Sequence, residues 1–572
     1  MEYSAIFHDM DKRFCYAIDK DLFVIRVQVK KDDMKEVILH YEDKYIPMER
    51  KDTRMTLPMK KVATSQFHDY YEAQIQMHLI CLRYFFEFTD MQGEKVYYGN
   101  YEFDKECITN RDRMFDCPQN LREEEMFEVP QWAANKVVYQ IFPSRFATTQ
   151  PVDKELWYKA PITPMDDLHG NLRGIIEHLD YIKDLGIDVV YLTPIFKSNS
   201  CHKYDTIDYY QVDPSFGTTE DLKELVQKSH ERGMKVVLDA VYNHSGREFF
   251  AFQDILEKGE KSKYLDWYFI DELPPRGEWG EIPNFKCFGY YGGMPKLNLK
   301  NPEVEKYITD VACYWIKECD IDGWRLDVGD EISHFFWKNF RKAIKAVKKD
   351  MLIIGEIWHY AGDFLEGDEW DTVMNYPFYL NLIDLLADEK INVSQFVQNL
   401  GYLKGRLNKK CYPLMWNLID SHDTARFLHL CKNNKKKQHL AAAFQLLLPG
   451  MPMIYYGDEY AMPGANDPDC RRGMYWDEEY QDKEMFEWYK QLLKVRKNHA
   501  CIVEGEPMEI AARDEEETIV LTRKNDEETL ALIFNCSSSA RVFHEYAQKY
   551  DLLREKPFDG KIEGLEAAVI VL

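Results

Sequence analysis

The feature that most constrains this chain is an alternation, between residues 137 and 457, of short apolar segments with amphipathic helical segments. The apolar segments are VVYQIF, VVYLTPIF, KVVLDAV, GWRLDV, LIIGEI, DTVMNY, LMWNLID and MPMIYYG. Short apolar runs rich in β-branched residues are typical of buried parallel strands, and the helical segments provide the crossovers between them. Eight such units predict a (β/α)8 barrel, in which functional side chains lie at the C-terminal ends of the strands.

Two helical segments carry terminal signals that agree with this interpretation. NLRGIIEHLDYIKDLG and TTEDLKELVQKSHERG end on glycines expected to form C-terminal caps, Gly186 and Gly233. Thr218 or Thr219 is expected to cap the start of the second helix. Residues 245–298 interrupt the alternation after the third strand, and we therefore predict an inserted domain there.

The residues on either side of the barrel predict β-structure. Within 1–120, apolar side chains alternate with more polar ones, as in a half-buried strand, at Phe23, Ile25, Val27 and Val29. The runs YYEAQIQM and LRYFFEF, with a turn at Gln92-Gly93, extend this to a predicted β-sandwich. The polar stretch NRDRMFDCPQNLREEE is the predicted linker to the barrel at 121–498. Residues 499–572 predict a C-terminal β domain with a hairpin in TIVLTRKNDEETLALIF.

Charge and cysteine usage exclude several classes of protein. A formal net charge of −25 would repel nucleic acids and anionic membranes. The 13 cysteines contain no CxxC pair, which favours free thiols in a reducing compartment over a disulfide framework or a zinc site. The first residues lack the apolar core of a signal peptide, and no run approaches the roughly 18 apolar residues of a membrane span. We therefore expect a cytoplasmic protein that binds neither nucleic acid nor membrane.

Polar residues at the ends of the predicted barrel strands are candidates for a functional site. Any single one of them has an ordinary interpretation, because an Asp after a strand is often a helix cap or part of a structural ion pair. Their joint occurrence on one face of a barrel favours a shared pocket. The candidates are Asp239, Asn243, His244, Arg325, Asp327, Glu356, His422 and Asp423.

At these residues the chain resembles a known family. DAVYNH, GWRLDVGDE, GEIW and SHD are similar, in order, to the four signature regions of the α-amylase family of glycoside hydrolases, family 13. MPKLN, HKYDTIDYY, EIWH and GDEYAMPGANDPDCRRGMYWD resemble the neopullulanase, cyclomaltodextrinase and maltogenic amylase subfamily. The resemblance covers essentially the whole chain, including the predicted N-terminal sandwich.

The resemblance implies a division of roles among the catalytic candidates. Cleavage with retention requires two carboxyl groups about 5–5.5 Å apart, one acting as nucleophile and one as proton donor. By analogy, Asp327 is the nucleophile, and Glu356 is the general acid/base, whose pKa must be raised. Arg325 is expected to lower the pKa of Asp327 and keep it ionised. Asp423 is expected to bind two hydroxyl groups of the sugar at the cleaved bond.

Further positions match residues that contact the substrate in relatives. His244 and His422 match hydroxyl-binding histidines, although histidines that only satisfy hydrogen bonds in the core are the competing interpretation. Tyr204 matches a tyrosine that stacks under the sugar ring. Asp205 is expected to hold its own loop, and Asp239 to support the site without reacting.

The remaining candidates concern the two ends of the cleft. Trp358 resembles an aromatic platform on the leaving-group side, and packing under the fifth strand is its alternative. Glu331 matches an acidic position that shapes the acceptor side, although Asp330 replaces the usual Asn before it. Asp467 and Arg471, in the segment DPDCRR, match a region that closes the non-reducing end, and a solvated charge run is the alternative.

We predict that no metal and no cofactor take part. Relatives bind calcium near the first strand through a loop rich in Asn and Asp, whereas VVYQIFPSRF is followed here by ATTQ. The partner segment, LHGNLRGI, has Asn171 where an Asp is expected, and Ca²⁺ prefers carboxylate ligands. Both proton transfers and the covalent step can use side chains alone.

The expected activity is hydrolysis of α-1,4-glucosidic bonds, with α-1,6 bonds as an additional candidate, in maltodextrins, cyclomaltodextrins and pullulan. A transglycosylase or isomerase on the same scaffold is the first alternative, although exo-acting α-1,6-glucosidases and sucrose isomerases typically carry QPDLN in place of MPKLN. A non-catalytic scaffold protein is the second. The resemblance also implies a homodimer in which the N-terminal sandwich covers the partner's cleft. The sandwich aromatics are candidates for this contact, for sugar binding or for ordinary core packing: Tyr70, Tyr71, Phe85 and Phe86.

Overall fold

The computed structural model describes residues 1–47, 54–76, 80–118, 126–277 and 280–572. The chain divides into two units. The N-terminal unit consists of Met1–Glu128, Tyr360–Asp368 and Ser394–Tyr412, and the barrel unit consists of Val129–His359, Glu369–Val393 and Pro413–Leu572. Part of the predicted linker, residues 119–125, lies outside the described residues.

The N-terminal unit contains a β-sandwich. Its strands are β1 (Cys15–Ala17), β2 (Leu22–Lys30), β3 (Met34–Asp43), β4 (Met55–Pro58), β5 (Lys60–Thr64), β6 (His68–Gln76), β7 (Cys81–Asp90), β8 (Lys95–Gly99), β9 (Glu102–Asp104) and β10 (Phe115–Pro118). One antiparallel sheet has the order β1-β2-β6-β5, and the other has the order β4-β3-β7-β8-β9, with β10 beside β7. Apolar side chains of both sheets share one core. The turn at Gly93, with a φ of 87°, confirms the predicted hairpin.

Strand β2 is not half-buried, as its alternation predicted, because both of its faces are covered. Val24 and Arg26, which point away from the sandwich core, are also buried. The Arg26 guanidinium forms an ion pair with Glu72 at 2.9 Å and donates hydrogen bonds to the carbonyl oxygens of Gly405 and Leu407. The sandwich aromatics Tyr70, Tyr71, Phe85 and Phe86 are all buried as well, which agrees with ordinary core packing.

The barrel unit confirms the predicted strands. Its strands up to residue 455 are β11 (Val138–Ile141), β12 (Val189–Leu192), β13 (Phe196–Ser198), β14 (Thr206–Val212), β15 (Lys235–Ala240), β16 (Gly323–Leu326), β17 (Leu352–Gly355), β18 (Thr372–Val373), β19 (Trp416–Asn417) and β20 (Met451–Tyr455). In the described residues, β13 and β14 form a separate hairpin, and the other eight form a parallel sheet in the order β18-β17-β16-β15-β12-β11-β20-β19. A parallel bridge between Met374 and Trp416 joins its two edges, so the sheet closes into a barrel.

The helices also agree with the sequence. They are α1 (Pro143–Phe146), α2 (Lys154–Trp157), α3 (Leu172–Glu177), α4 (Leu179–Leu185), α5 (Thr219–Glu231), α6 (Phe250–Lys258), α7 (Pro302–Cys319), α8 (His334–Val347), α9 (Tyr376–Leu382), α10 (Val393–Arg406), α11 (Phe427–Leu430), α12 (Lys435–Leu447), α13 (Lys483–Asn498) and α14 (Cys501–Glu504). Thr218 forms a capping box with Asp221 at the start of α5, and Gly186 ends α4 with a φ of 108°. None of the helices in the described ranges is both long and apolar enough to cross a bilayer.

The predicted insertion begins after β15 and returns to the same strand end. It contains α6 and several short turns, and its residues 278–279 lie outside the described part of the chain. Its last residues pair with the segment that follows β15, because Lys296 forms an antiparallel bridge with His244 and Leu297 N–H donates to the Asn243 carbonyl at 3.0 Å. The insertion is therefore tied to the C-terminal end of a barrel strand.

The chain ends in β-structure, as predicted. The final strands are β21 (Glu506–Arg513), β22 (Thr518–Lys524), β23 (Thr529–Asn535), β24 (Arg541–Val542), β25 (Tyr550–Asp551), β26 (Lys556–Pro557), β27 (Lys561–Ile562) and β28 (Glu566–Val571). Strands β22 and β23 form the expected hairpin, and the sheet order is β21-β22-β23-β28-β25-β26.

Candidate active site

Four carboxyl groups meet one arginine at the C-terminal end of the barrel. Asp239 lies near the end of β15, Asp327 directly follows β16, Glu356 directly follows β17, and Asp423 lies beyond β19. Arg325, on β16, is fully buried among them. We refer to these five residues as the Arg325 cluster. Because parallel strands end on the same rim, residues far apart in sequence are brought together as the strand-end argument predicted.

The guanidinium group of Arg325 contacts every carboxyl group of the cluster. Its Nη1 donates to Asp239 Oδ1 at 3.0 Å and to Asp327 Oδ1 at 2.9 Å. Its Nη2 lies 2.8 Å from Glu356 Oε2 and 3.9 Å from Asp423 Oδ2. The predicted nucleophile and the predicted acid therefore contact the two terminal nitrogens of the same guanidinium group.

One positive charge is not enough to ionise all these carboxyl groups fully. Burial raises the pKa of both Asp327 and Glu356 above the usual carboxyl range, and the nearby Arg325 charge only partly opposes this. Burial likewise raises the pKa of Asp239 to about 6. Arg325 does lower the pKa of Asp327, as expected. Burial and the neighbouring carboxylates raise this pKa by more, so the expected net lowering is wrong.

The backbone after Asp327 helps to hold Glu356. Val328 has a φ of 47°, a left-handed conformation that is unusual for a β-branched residue. In this conformation its N–H donates to Glu356 Oε2 at 3.0 Å. Position 329 requires a glycine, because a Cβ atom there would lie 2.8 Å from the Trp370 ring. The turn after β16 thus fixes one oxygen of Glu356.

A chain of hydrogen bonds orients His422. Gln140 Nε2 faces His422 Nδ1 at 2.8 Å, which assigns Nδ1 as an acceptor and Nε2 as the protonated nitrogen. His422 Nε2 then donates to the Tyr204 hydroxyl, and that hydroxyl donates to Asp239 Oδ2 at 3.1 Å. Burial and two nearby arginines lower the pKa of His422 well below its usual range, so the ring is neutral. Its Nε2 also lies 3.2 Å from Asp423 Oδ2.

The loop that carries Tyr204 is held by buried polar contacts. Lys203 has a φ of 64°, and its ammonium lies 2.9 Å from Asp213 Oδ2. Asp205 accepts a hydrogen bond from the Ser198 hydroxyl at 2.5 Å, which agrees with its expected role of holding the loop. Tyr204 is thus fixed from both neighbouring positions.

His244 lies beside the same loop. Its Nε2 donates to the Tyr204 carbonyl oxygen at 3.2 Å, and its ring stacks on Phe288 with centroids 5.1 Å apart. Burial and the charge of Lys296 lower its pKa to about 3, so it is neutral. Its Nδ1 has no hydrogen-bond partner among the described residues. Both this nitrogen and the His244 side chain as a whole are buried.

Trp358 stands at the open side of the cluster. Its indole N–H donates to Glu356 Oε1 at 3.3 Å, and its ring stacks on Tyr376 at 3.9 Å. The side chain is 41% exposed, so packing beneath the fifth strand is the wrong alternative. One face of the indole covers Tyr376, and the remainder borders the predicted acid.

Arg471 lies at the opposite side, against Asp423. Its Nη2 is 3.6 Å from Asp423 Oδ1, its Nη1 is 2.7 Å from Asp467 Oδ1, and its Nε donates to the His422 carbonyl at 2.8 Å. Arg471 and Asp469 are buried. The alternative of a solvated charge run is therefore wrong for these two residues, whereas the Asp467 side chain is 48% exposed.

Glu331 lies in the turn after β16, away from the arginine. It accepts hydrogen bonds from Lys296 Nζ at 3.2 Å and from Asn243 Nδ2 at 3.1 Å. Its side chain is 47% exposed. The structure places Glu331 in the same turn as Val328, which contacts Glu356, and not in the Arg325 cluster itself.

The loop after β11 uses its polar groups internally. Asn171 Oδ1 accepts the Gly174 N–H at 2.8 Å and so caps α3, and Asn171 Nδ2 donates to Thr148 Oγ1 at 3.3 Å. In the part of the chain that the structure describes, no group of three or more His, Cys, Asp or Glu side chains is arranged to hold a metal ion.

Sequence reasoning missed several supporting residues. Gln140 and Tyr191 lie on buried barrel strands, and Tyr191 donates to Asp239 Oδ2 at 2.7 Å. A polar side chain inside an otherwise apolar strand, as Gln140 is in VVYQIF, is a signal that could have identified it. Tyr376, which supports Trp358, follows β18 and could have been identified from its strand-end position.

Comparisons with known proteins agree with this geometry. The model "Alpha amylase, catalytic domain" matches residues 140–505, and "Alpha amylase, N-terminal ig-like domain" matches residues 1–119. A cyclomaltodextrinase from Geobacillus thermopakistaniensis (strain MAS1) is 42% identical over 544 residues, covering 94% of this chain and 92% of the relative. Neopullulanase 2 from Thermoactinomyces vulgaris is 41% identical over 507 residues, covering 88% and 85%. A solved cyclomaltodextrinase structure has a TM-score of 0.93 at 37% identity, covering 100% of both chains. The chain therefore belongs to the α-amylase family of glycoside hydrolases, as its four strand-end motifs predicted.

Proposed function

We propose that this enzyme hydrolyses α-1,4-glucosidic bonds, and α-1,6 bonds as a second activity, in maltodextrins, cyclomaltodextrins and pullulan, with retention at the anomeric carbon. The observation that carries this proposal is the Arg325 guanidinium in contact with both Asp327 and Glu356 at the barrel mouth. The identity to a cyclomaltodextrinase and a neopullulanase supports the choice of substrates.

The first step forms a covalent glycosyl-enzyme. Protonated Glu356 donates its proton to the glycosidic oxygen while the bond from that oxygen to C1 breaks. The Asp327 carboxylate attacks C1 and forms an ester, and the leaving oligosaccharide departs with the proton. The raised pKa of Glu356 suits it to carry that proton above the usual carboxyl range.

The second step releases the sugar. The Glu356 carboxylate takes a proton from a water molecule, whose oxygen attacks C1 as the ester bond to Asp327 breaks. Asp423 accepts hydrogen bonds from sugar hydroxyl groups, because its side chain is partly exposed between Arg325 and Arg471. Neutral His422 and His244 bind further hydroxyl groups without adding charge.

A parallel digest of β-cyclodextrin, pullulan and soluble starch tests the proposal. We expect opening of β-cyclodextrin to maltose and glucose, and release of panose from pullulan, with the products separated by chromatography. Rapid starch breakdown with intact cyclodextrin would replace the proposal with an open-cleft α-amylase. The absence of products from all three substrates would leave the transferase and scaffold alternatives.

A transglycosylase is the second candidate function. It uses the same glycosyl-enzyme, but a sugar hydroxyl replaces water in the second step. The observation that favours it is the half-exposed Glu331 carboxylate, in the turn that contacts Glu356. This carboxylate is able to bind an acceptor hydroxyl group. Products longer than the substrate in a maltotriose digest distinguish transfer from hydrolysis.

The proposal includes no metal and no cofactor. It is supported by the chemistry, which uses side chains for both proton transfers, and by Asn171, whose side-chain oxygen caps α3. Incubation with EDTA followed by thermal unfolding is the test. A Tm that falls by several degrees and recovers with Ca²⁺ would refute this part of the proposal.

Assembly and location complete the proposal. A homodimer formed through the N-terminal unit is supported by its exposed apolar side chains, among them Phe7, Tyr45, Phe67 and Tyr101. A mass of one chain in light scattering would remove it. A cytoplasmic location is supported by the 13 cysteines, which all lie in the described residues and are all free thiols. Thiol titration of the unfolded, unreduced protein tests this.

A further inference from the structure

Lys296 joins the insertion to two strand ends of the barrel. Its ammonium group donates to Asn243 Oδ1, to the Glu331 carbonyl oxygen at 3.2 Å and to Glu331 Oε2 at 3.2 Å. An ammonium group has three N–H donors, so each one has an acceptor. Burial lowers the pKa of Lys296 from its usual value, and the nearby Glu331 carboxylate opposes this.

These contacts close a triangle. Asn243 Nδ2 donates to Glu331 Oε2 at 3.1 Å, so this oxygen accepts from both Lys296 and Asn243. Asn243 is fully buried. The Asn243 side-chain amide cannot flip, because its oxygen accepts from an ammonium group and its nitrogen donates to a carboxylate. The triangle therefore fixes one oxygen of Glu331 and leaves the other available.

The backbone of Lys296 is fixed as well. Its segment pairs with the residues after β15 through the bridge to His244 and through a hydrogen bond from Ser245 N–H to the Pro295 carbonyl at 3.1 Å. Its side chain reaches Glu331, which follows β16. Lys296 thus couples the end of one barrel strand to the turn after the next.

That turn borders the leaving-group side of the site. Val328, three residues before Glu331, donates its N–H to Glu356 Oε2 at 3.0 Å. In the proposed mechanism Glu356 protonates the leaving group, and the incoming acceptor occupies the same side in the second step. The half-exposed carboxylate of Glu331 is therefore placed where an acceptor sugar enters.

We infer that Lys296 is a specificity-determining positioning residue, which holds Glu331 so that its free oxygen binds a hydroxyl group of an acceptor oligosaccharide. This inference rests on the proposed function. In the transfer step a sugar hydroxyl attacks C1, the ester bond to Asp327 breaks, and the hydroxyl proton passes to the Glu356 carboxylate. Lys296 sets the fraction of glycosyl-enzyme that follows this route instead of hydrolysis.

The test is the ratio of transfer to hydrolysis, which is measured within one enzyme preparation. The full chain is incubated with p-nitrophenyl α-maltoside and increasing maltose, and both product classes are quantified by chromatography. In Lys296→Met we expect the ratio to fall about tenfold, the lower end of what one hydrogen bond to a charged group contributes, with a rise in the KM for maltose larger than any fall in kcat. Lys296→Arg keeps the charge and restores most of the ratio.

Two further variants keep the inference falsifiable. Lys300→Met removes an exposed lysine four positions away and should leave the ratio unchanged. Glu331→Gln, a change on a half-exposed side chain, should lower the ratio as Lys296→Met does, and the double variant should add little. An unchanged ratio in Lys296→Met would overturn the inference, whatever the result for Glu331→Gln, while the wild-type release of p-nitrophenol still supported the proposed function. No p-nitrophenol release from the wild type would overturn both.

Discussion

Two groups of carboxyl groups lie at the ends of barrel strands, each around a fully buried arginine. One is the Arg325 cluster. The other, the Arg426 cluster, consists of Arg426, Asp420, Asp458 and Glu459. Burial raises the pKa of carboxyl groups in both, including Asp327 and Asp458. A raised carboxyl pKa beside an arginine therefore does not by itself distinguish a catalytic site from a structural cluster.

The two clusters differ in access to solvent and in the use of the arginine. Arg426 donates to Asp458 Oδ1 at 3.0 Å and to the Cys470 carbonyl at 3.1 Å, and it stacks over the Tyr455 ring at 4.1 Å. Glu459 accepts from the hydroxyl groups of buried Tyr139 at 2.6 Å and partly buried Tyr181 at 2.7 Å. In the Arg325 cluster the Asp423 side chain is 28% exposed. Of the two clusters, the Arg325 cluster therefore has the open side that the proposed reaction requires, where a substrate can replace water.

Removing the proposed nucleophile should abolish activity and leave the fold intact. In Asp327→Asn we expect kcat to fall about 10⁴-fold or more, because no carboxylate remains to form the ester. The Tm should stay the same or rise, because the change removes one of several crowded carboxyl groups around a single guanidinium. Release of reducing ends and thermal unfolding measure the two effects.

Activity within tenfold of the wild type would show that Asp327 is not the nucleophile. A large fall in Tm would show that the Arg325 cluster is structural and would remove the distinction between the two clusters. Glu356→Gln is the companion variant. It should retain the slow release of a good leaving group, such as p-nitrophenol, because that group needs no proton.

Removing the arginine of the closed cluster should have the opposite result. In Arg426→Met the buried Asp458 loses its cationic partner, and we expect a loss of about 3–5 kcal/mol in the free energy of unfolding, measured with urea. The kcat of the folded fraction should change only a few-fold, because Arg426 contacts no member of the Arg325 cluster.

Lys494→Met is the matched control for this variant. Lys494 pairs with Glu555 at 2.5 Å, but both side chains are more than half exposed, so the loss in unfolding free energy should be much smaller than in Arg426→Met. Equal destabilisation by Arg426→Met and Lys494→Met would contradict the structural role of the Arg426 cluster.

The sequence predicted much of the fold because its signals are local. Strand identity, helix caps such as Thr218 and strand-end residues such as Glu356 depend on spacing within short segments. The burial of both faces of β2 could not be predicted, because the second face, with Arg26, is covered by carbonyl groups near Gly405, 379 positions away. The alternation of apolar and polar residues within β2 does not depend on that distant contact and therefore cannot predict it.

The electrostatics of the site could not be predicted for a similar reason. The sequence places Arg325 two residues before Asp327, and that spacing alone indicates a lowered pKa. The net direction depends on burial and on carboxyl groups from other strands, such as Glu356, whose distances only the fold supplies. Asp458 lies in GDEY, the start of a motif that resembles the subfamily. Nothing in that motif indicates that Asp458 pairs with Arg426.

The smallest expected difference between the two clusters is in pH dependence: the Arg325 cluster should affect activity and the Arg426 cluster should affect stability. The proposed mechanism needs Asp327 ionised and Glu356 protonated, and burial raises the pKa of both groups. Activity should therefore fall on the acid side at a pH above the ordinary carboxyl pKa of about 4, and on the alkaline side as Glu356 loses its proton. The kcat/KM profile of the wild type measures both limbs.

The closed cluster should affect stability instead. Burial raises the pKa of Asp420 and Asp458 in the folded chain, so their contribution to stability is complete below the unfolded carboxyl pKa and is lost as pH rises through the folded values. Asp458→Asn removes one of these groups and should flatten the decline of unfolding free energy above about pH 4, by about 1.4 kcal/mol for each unit of raised pKa. The shape of its kcat/KM profile should match the wild type, because Asp458 contacts no reacting group. A shifted activity profile with an unchanged stability slope would reverse the assignment of the two clusters.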